Sequence, residues 1–325
     1  MKQYLKNLIL FGIAILVCFN GISGTAYAAA YAVSSVDMQF QQVSEHVYFV
    51  QGKAGVASDN EGFISNATAI ITDDGIVVVD ALGTPSLAAL FLKKLEAISN
   101  KPVVMLIATH YHADHIYGLQ VFKERGAKII APDGYQDYLD SPAAAERLEE
   151  RQFTLDPWVN EHTYLVLPDE VINANTSFAV GGVKLNINYL GKAHSDGDMS
   201  VLVIPDKVLI SGDLIFEGRV PFTGSADTGH WLALLESLNN SDLKAIVPGH
   251  GPLGKDPNAT ISLTARYLES VRDVMQKAVD DFVGFDEAFG AADWSEFSDL
   301  PAFSAAHRLN AYGIFLSIER ESLNQ

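Results

Sequence analysis

Three imidazoles and a carboxylate fall within six residues at His110, His112, Asp114 and His115. Neutral imidazole nitrogen and carboxylate oxygen together suit zinc or a similar first-row divalent ion. The preceding run, residues 103–108, is short, apolar and partly β-branched, so it reads as a buried strand. After the cluster, Ile116, Leu119, Val121 and Phe122 with Lys123 and Arg125 read as a helix that Gly126 ends. The cluster therefore occupies a strand-to-helix turn, the place where open α/β sheets bind their ligands. His110 and His112, two apart on an extended segment, can point the same way. Asp114 and His115 lie past the bend and can face a second position.

Three more polar residues also follow β-like runs. His194 comes after 183–189, Asp213 after 208–210 and His250 after 245–247. Strand ends of one sheet can converge on one edge, so these seven residues can serve two adjacent metals. The simplest division gives His110, His112 and His194 to one ion and Asp114, His115 and His250 to the other, with Asp213 bridging. Asp80 closes the apolar run 76–79, where it serves as a turn or helix cap or orients a ligating histidine. Cys18 is the only cysteine and lies in an N-terminal leader, leaving no thiolate ligand or nucleophile in the rest of the chain. Asn66, Trp158 and Arg219 are candidate substrate contacts. Tyr111, Tyr117 and His230 are also within reach in sequence, though more simply structural. His46, His162 and His307 have no motif around them.

The elements that must position these groups follow an α/β rhythm. A hairpin over 67–79, an amphipathic helix over 85–98, the strand before the cluster and a further strand over 128–131 come in order. Residues 140–151 read as a charged helix, and 52–66 and 153–168 as irregular stretches, the latter able to form a lid. Strands return from 172 onward, with a helix over 230–239. Two helices, 260–283 and 305–322, are joined by a linker rich in Asp, Ala and Ser.

The chain has 325 residues with 48% hydrophobic and 19% charged, ordinary for a globular protein with a sizeable core. Its net charge of −18 argues against nucleic acid and anionic membranes as partners and leaves a small-molecule substrate. Lys2 and Lys6, an apolar run over 8–19 and Ala26-Tyr27-Ala28 form an export signal with its cleavage site. We therefore expect residues 1–28 to be removed and the product to be periplasmic or secreted, without stable membrane association. Residues 29–258 form the main domain, and 259–325 a C-terminal helical extension packed on it.

The chain resembles the metallo-β-lactamase-fold hydrolase superfamily. Asp80, the 110/112/114/115 cluster, His194, Asp213 and His250 match its signatures in order. Asn66, the segment 80–84, Ala193-His194-Ser195-Asp196-Gly197-Asp198, the segment 216–222, Tyr267, the segment 308–312 and Glu319 resemble SoxH-like, quinoprotein-relay-associated exported hydrolases. The resemblance implies a four-layer αβ/βα sandwich with the site at one sheet edge and two zinc ions, iron or manganese remaining open. It implies hydrolysis of a thioester, lactone or amide/β-lactam-type bond by a zinc-bridged hydroxide, with Asp114 and Asp213 orienting the water. Aspartate at 213 resembles thioesterases and lactonases more than the main lactamase subclasses. A β-lactamase proper and a mononuclear-iron sulfur dioxygenase-type oxidoreductase are the alternatives.

Overall fold

The β-branched, apolar runs form two mixed sheets. The computed structural model describes residues 31–238 and 241–323, so the export signal expected over 1–28 lies outside the described residues. In the first sheet, β1 (Phe40–Gln42), β2 (Val47–Val50), β3 (Ala67–Ile71) and β4 (Ile76–Val79) pair antiparallel in sequence order. From β4 the sheet continues in parallel through β5 (Val103–Ile107), β6 (Lys128–Pro132) and β7 (Glu170–Ile172). Parallel neighbours require crossovers. They run through α1 (Pro85–Leu95), and through α2 (Ala113–Ile116) and α3 (Leu119–Lys123). The crossover from β6 to β7 uses α4 (Tyr135–Leu139) and α5 (Pro142–Thr154).

The second sheet has the order β12-β11-β10-β9-β8. Its strands are β8 (Thr176–Val180), β9 (Val183–Gly191), β10 (Asp198–Val203), β11 (Val208–Phe216) and β12 (Ala245–His250), and only β11 and β12 pair in parallel. α6 (Thr228–Ser237) connects these two.

Alternation along the strands builds three apolar layers. Phe49, Ile70, Val77 and Ile107 of the first sheet meet Leu185, Ile187, Val201 and Ile210 of the second. The outer face of the first sheet packs under α1 and α3 through Leu87, Phe91 and Phe122. On the other side, Trp231 of α6 shares a core with α7 (Pro257–Asp280) and α9 (Phe303–Leu323) through Leu268, Val271, Ile314 and Ile318. The result is the four-layer α/β sandwich with C-terminal helices.

Several local expectations differ from the structure. The helix after the histidine cluster is broken at Gly118, where an added Cβ would lie 1.9 Å from the Ala81 carbonyl oxygen. β11 runs on through Asp213 to Phe216 instead of ending at residue 210. The linker between the last two long helices holds a helix, α8 (Phe285–Ala291). Among the described residues, no helix is long and apolar enough to cross a membrane.

Candidate metal centre

Four of the seven residues are carried at or just beyond strand ends, two on a helix start, and Asp213 inside β11. His110 and His112 follow β5, and Asp114 and His115 form the first turn of α2. His194 follows β9, and His250 is the last residue of β12.

The donor atoms fall into two groups, His110, His112, His194 and Asp213 in one, and Asp114, His115 and His250 in the other, each within 4.8 Å of one another. In the first, His112 Nδ1 lies 3.1 Å from His110 Nε2 and 2.8 Å from His194 Nε2. In the second, Asp114 Oδ2 lies 3.2 Å from His250 Nε2 and 3.5 Å from His115 Nε2. The Asp213 carboxylate touches both groups, with Oδ2 3.2 Å from His194 Nε2 and Oδ1 3.2 Å from His115 Nε2.

These atoms face inward, and they satisfy one another only in part. His115 Nε2 and Asp213 Oδ1 are buried and have no hydrogen-bond partner. Unpaired buried polar atoms are costly. Imidazole and carboxylate donors that converge on common points, with lone pairs unspent, fit divalent first-row cations.

The outward nitrogens are fixed by the protein. Asp80 accepts from Thr109 N at 2.7 Å and from Thr109 Oγ1 at 2.9 Å, and its Oδ2 lies 2.9 Å from His115 Nδ1. Its backbone adopts φ +63°, a left-handed geometry in which the chain turns sharply at the end of β4. His250 Nδ1 donates to the Ile64 carbonyl at 2.7 Å. The glycine before it leaves room for the shared carboxylate, because a Cβ on Gly249 would stand 1.9 Å from Asp213 Oδ1.

Burial, and then the charge of His115, hold His110 well below the ordinary histidine value. Burial and His194 push His112 down to about 3. Burial alone would raise Asp114 and Asp213, but neighbouring histidines hold both carboxyls below their usual range. Against burial, the Asp213 and Asp114 carboxylates hold His115 well above and His250 above the ordinary histidine value, so a metal entering the second group would displace protons from these two rings.

Of the candidate substrate contacts, Arg219 lines a 460 Å³ cavity that also reaches His112, Asp114, His194, Asp213 and His250. Asn66 and Trp158 are not among its lining residues. Asn66 is instead a clamp: its Oδ1 accepts from Gly52 N at 3.0 Å, and its Nδ2 donates to the carbonyls of Pro248 at 2.8 Å and Gly251 at 2.9 Å, bracketing His250. Tyr111 donates to Asp196 at 3.0 Å.

Position-by-position reading missed Asp198. Its Oδ2 accepts from Ala193 N at 3.1 Å and Ser195 N at 2.8 Å, and Ser195 Oγ bonds its Oδ1 at 2.9 Å, which locks the turn carrying His194. An aspartate four residues after the histidine in a Gly/Ser/Asp turn was the available signal. Arg147 and Arg151 of α5 and Ala302, Ala305 and Ala306 also line the cavity, with no motif announcing them.

Two face-to-face sheets with outer helices and a histidine–aspartate cluster at one edge define a metallohydrolase architecture. The chain belongs to the metallo-beta-lactamase superfamily, whose profile matches residues 60–250. It is 28% identical over 215 residues to a metallo-beta-lactamase type 2 of Elizabethkingia meningoseptica, covering 64% of this chain and 78% of that one. It is 26% identical over 196 residues to the acyl-coenzyme A thioesterase MBLAC2 of Gallus gallus, covering 54% of this chain and 68% of that one. A sec-alkylsulfatase from a Pseudomonas species shares the fold at TM-score 0.68 and 17% identity, over 86% of this chain and 50% of that one. A metallo-beta-lactamase from Pontibacter korlensis does so at TM-score 0.59 and 20% identity, over 72% of this chain and 99% of that one.

Proposed function

We propose that the protein is a dinuclear zinc hydrolase of a thioester, lactone or amide bond, exported as a SoxH-like enzyme after loss of its first 28 residues. The observation that carries this reading is the Asp213 carboxylate, whose two oxygens reach donor nitrogens of both groups. His110, His112 and His194 would hold one ion and Asp114, His115 and His250 the other, with Asp213 shared. When bound, such a pair supplies an acidified water and polarises a carbonyl oxygen.

The chain's own residues do the rest. Asp114 is the open member of the second group, with its side chain 18% exposed against 0% for His115 and 5% for His250. Its Oδ2 faces His115 and His250, which leaves the other oxygen to take the proton of the attacking water and return it to the leaving group. Asp80 fixes the ring of His115, and Asp198 fixes the turn of His194, so both rings are oriented before substrate arrives. Phe216, Phe222 and Ile64 give the cavity an apolar wall against which an acyl group packs and water is excluded.

The thioesterase relative supports a thioester, and the lactamase relatives favour a β-lactam amide as the second reading. Elemental analysis of the mature chain beside the Asp213→Ala variant tests the proposal. About two zinc per chain, falling to one or fewer in the variant, is the expected result for a shared carboxylate. One iron in both proteins would overturn it. The mass of the exported product tests the cleavage site.

A further inference from the structure

One face of α5 forms part of the cavity wall. Arg147, Glu150, Arg151 and Thr154, spaced i, i+3, i+4 and i+7, all line it. The helix face turned toward an interior is ordinarily apolar; here it is cationic, and Ala144 is the only residue that α5 buries. Arg147 Nη1 lies 3.2 Å and Arg151 Nε 3.6 Å from the same Glu150 oxygen, so two guanidinium groups share one carboxylate.

Arg219 adds a third. It is 9% exposed, and no carboxylate of the described residues lies within ion-pair distance. Its Nε makes only a long bond to the Val220 carbonyl at 3.4 Å. Its Nη1 stands 3.4 Å from His250 Nδ1, whose proton already goes to Ile64. Burial disfavours its charge, which the Asp213 and Asp114 carboxylates, beyond ion-pair distance, only partly offset.

Three of the chain's eight arginines therefore surround one cavity in a protein of net charge −18. Asp114, Asp213 and Glu150 line it too, so the positive charge lies on the α5 side, where two guanidinium groups face one carboxylate and attract anions. The remaining wall is apolar, with Val56, Ile64, Phe216, Phe222, Ala302 and Ala305.

We propose that the cavity takes an acyl compound whose apolar body ends in an anionic group, a carboxylate or a phosphoryl. Arg147 and Arg151 hold that group, and Arg219 supplies a buried positive charge beside the reacting end. The planar guanidinium fork matches both anions in bidentate geometry, which an ammonium does not. The acyl nature of the ligand rests on the hydrolase reading, whereas the anion recognition rests on the cavity itself.

Calorimetric titration of the zinc-equilibrated full chain tests it with ω-mercaptohexanoate, its methyl ester and ω-mercaptohexylphosphonate. All three share the thiol end and differ at the other. The acid is expected to bind roughly tenfold or more tightly than the ester, with the ratio shrinking as salt rises. In the Arg147→Gln/Arg151→Gln double variant the ratio falls below about threefold, while ester affinity and zinc content stay unchanged and Tm shifts by no more than about 1–2 °C, since Arg147 is exposed and Arg151 partly exposed. Equal binding of acid and ester, or a ratio that survives the double variant, overturns the proposal. Tighter binding of the phosphonate than of the acid identifies a phosphoryl group, and the reverse order a carboxylate. The same pairs with an S-methyl cap separate the two readings: absent zinc uptake sinks the hydrolase, whereas the capped acid-to-ester ratio still decides the anion site.

Discussion

Replacing Asn310 by alanine removes the link between the last helix and the cavity wall. The side chain is 1% exposed. Its Oδ1 accepts from Thr223 N at 3.0 Å, and its Nδ2 donates to the Pro221 carbonyl at 2.7 Å and to Tyr267 Oη at 2.9 Å. Alanine leaves the Thr223 amide and the Pro221 carbonyl without partners. Tyr267 still has His307 Nδ1 at 3.0 Å, so it loses less. Two orphaned buried groups at ~1–3 kcal/mol each give a loss of about 2–6 kcal/mol, a large part of the ~5–15 kcal/mol available to a domain. At roughly 2 °C per kcal/mol for a chain of this size, Tm falls by about 4–12 °C. Phe222 lies between the two released groups and Arg219 two residues before them, so the preference for the acidic probe over its ester should fall as well. Thermal unfolding followed by circular dichroism, with zinc content measured on the same samples, reads both effects. The control is Leu309→Ala, at a side chain 65% exposed, which should cost less than about 0.5 kcal/mol. A loss under about 1 kcal/mol in Asn310→Ala would refute the reasoning. So would zinc release at full stability, since the metal donors do not touch Asn310.

Asp80→Asn keeps the shape but weakens the acceptor facing His115 Nδ1 and Thr109; zinc affinity in competition with a chelator should drop about 10–100-fold, and an unchanged affinity would remove Asp80 from the site's support. His307 supplies a pH effect remote from the metal donors. It is stacked on Phe303, and burial pulls it from the ordinary 6.5 down to about 4. The unfolded chain takes up this proton before the folded one does. The stability is therefore intact above about pH 6.5, declines as pH falls and levels off below about pH 4, a loss of roughly 3 kcal/mol. In His307→Gln the urea-derived stability difference between neutral and acid pH should shrink by about that amount; superimposable pH profiles would show that the ring titrates freely.

Much of the centre was legible because its information is local. A short β-branched run followed by polar ligands fixes both the strand and the point where it ends, as at 103–115, and the same pattern recurs before His194 and His250. The departures come from contacts between distant segments. Gly212 in Ser211-Gly212-Asp213 looks like a turn, yet its φ of +51° sits within a strand that pairs on to Phe216, and an added Cβ would meet Thr109 at 2.6 Å. Gly118 breaks the helix only because Ala81 passes beside it. Asn66 has the residue type of a substrate contact, but its three hydrogen bonds are all with the backbone beside β12 and the entrance of its own loop. Nothing in its neighbours along the chain reveals those partners.

The cavity shows why specificity is harder to read than chemistry. Metal donors must be particular residue types at strand ends, so a sequence records them as a pattern. The wall only has to present the right charge and shape, and it draws on the loop at 52–66, on α5, on the segment after β11 and on the start of α9. Taken alone, Arg147, Glu150 and Arg151 have the pattern of a solvated helix face. Only when the tail positions Ala302 and Ala305 across the same opening does that face become the arginine-bearing side of an enclosed site. The C-terminal helices are thus tied to the site twice, by the alanines that line the cavity and by Asn310, which grips the segment carrying Phe222. The residues that choose the substrate are therefore spread over the chain, and part of them lies beyond residue 250, where the family match ends.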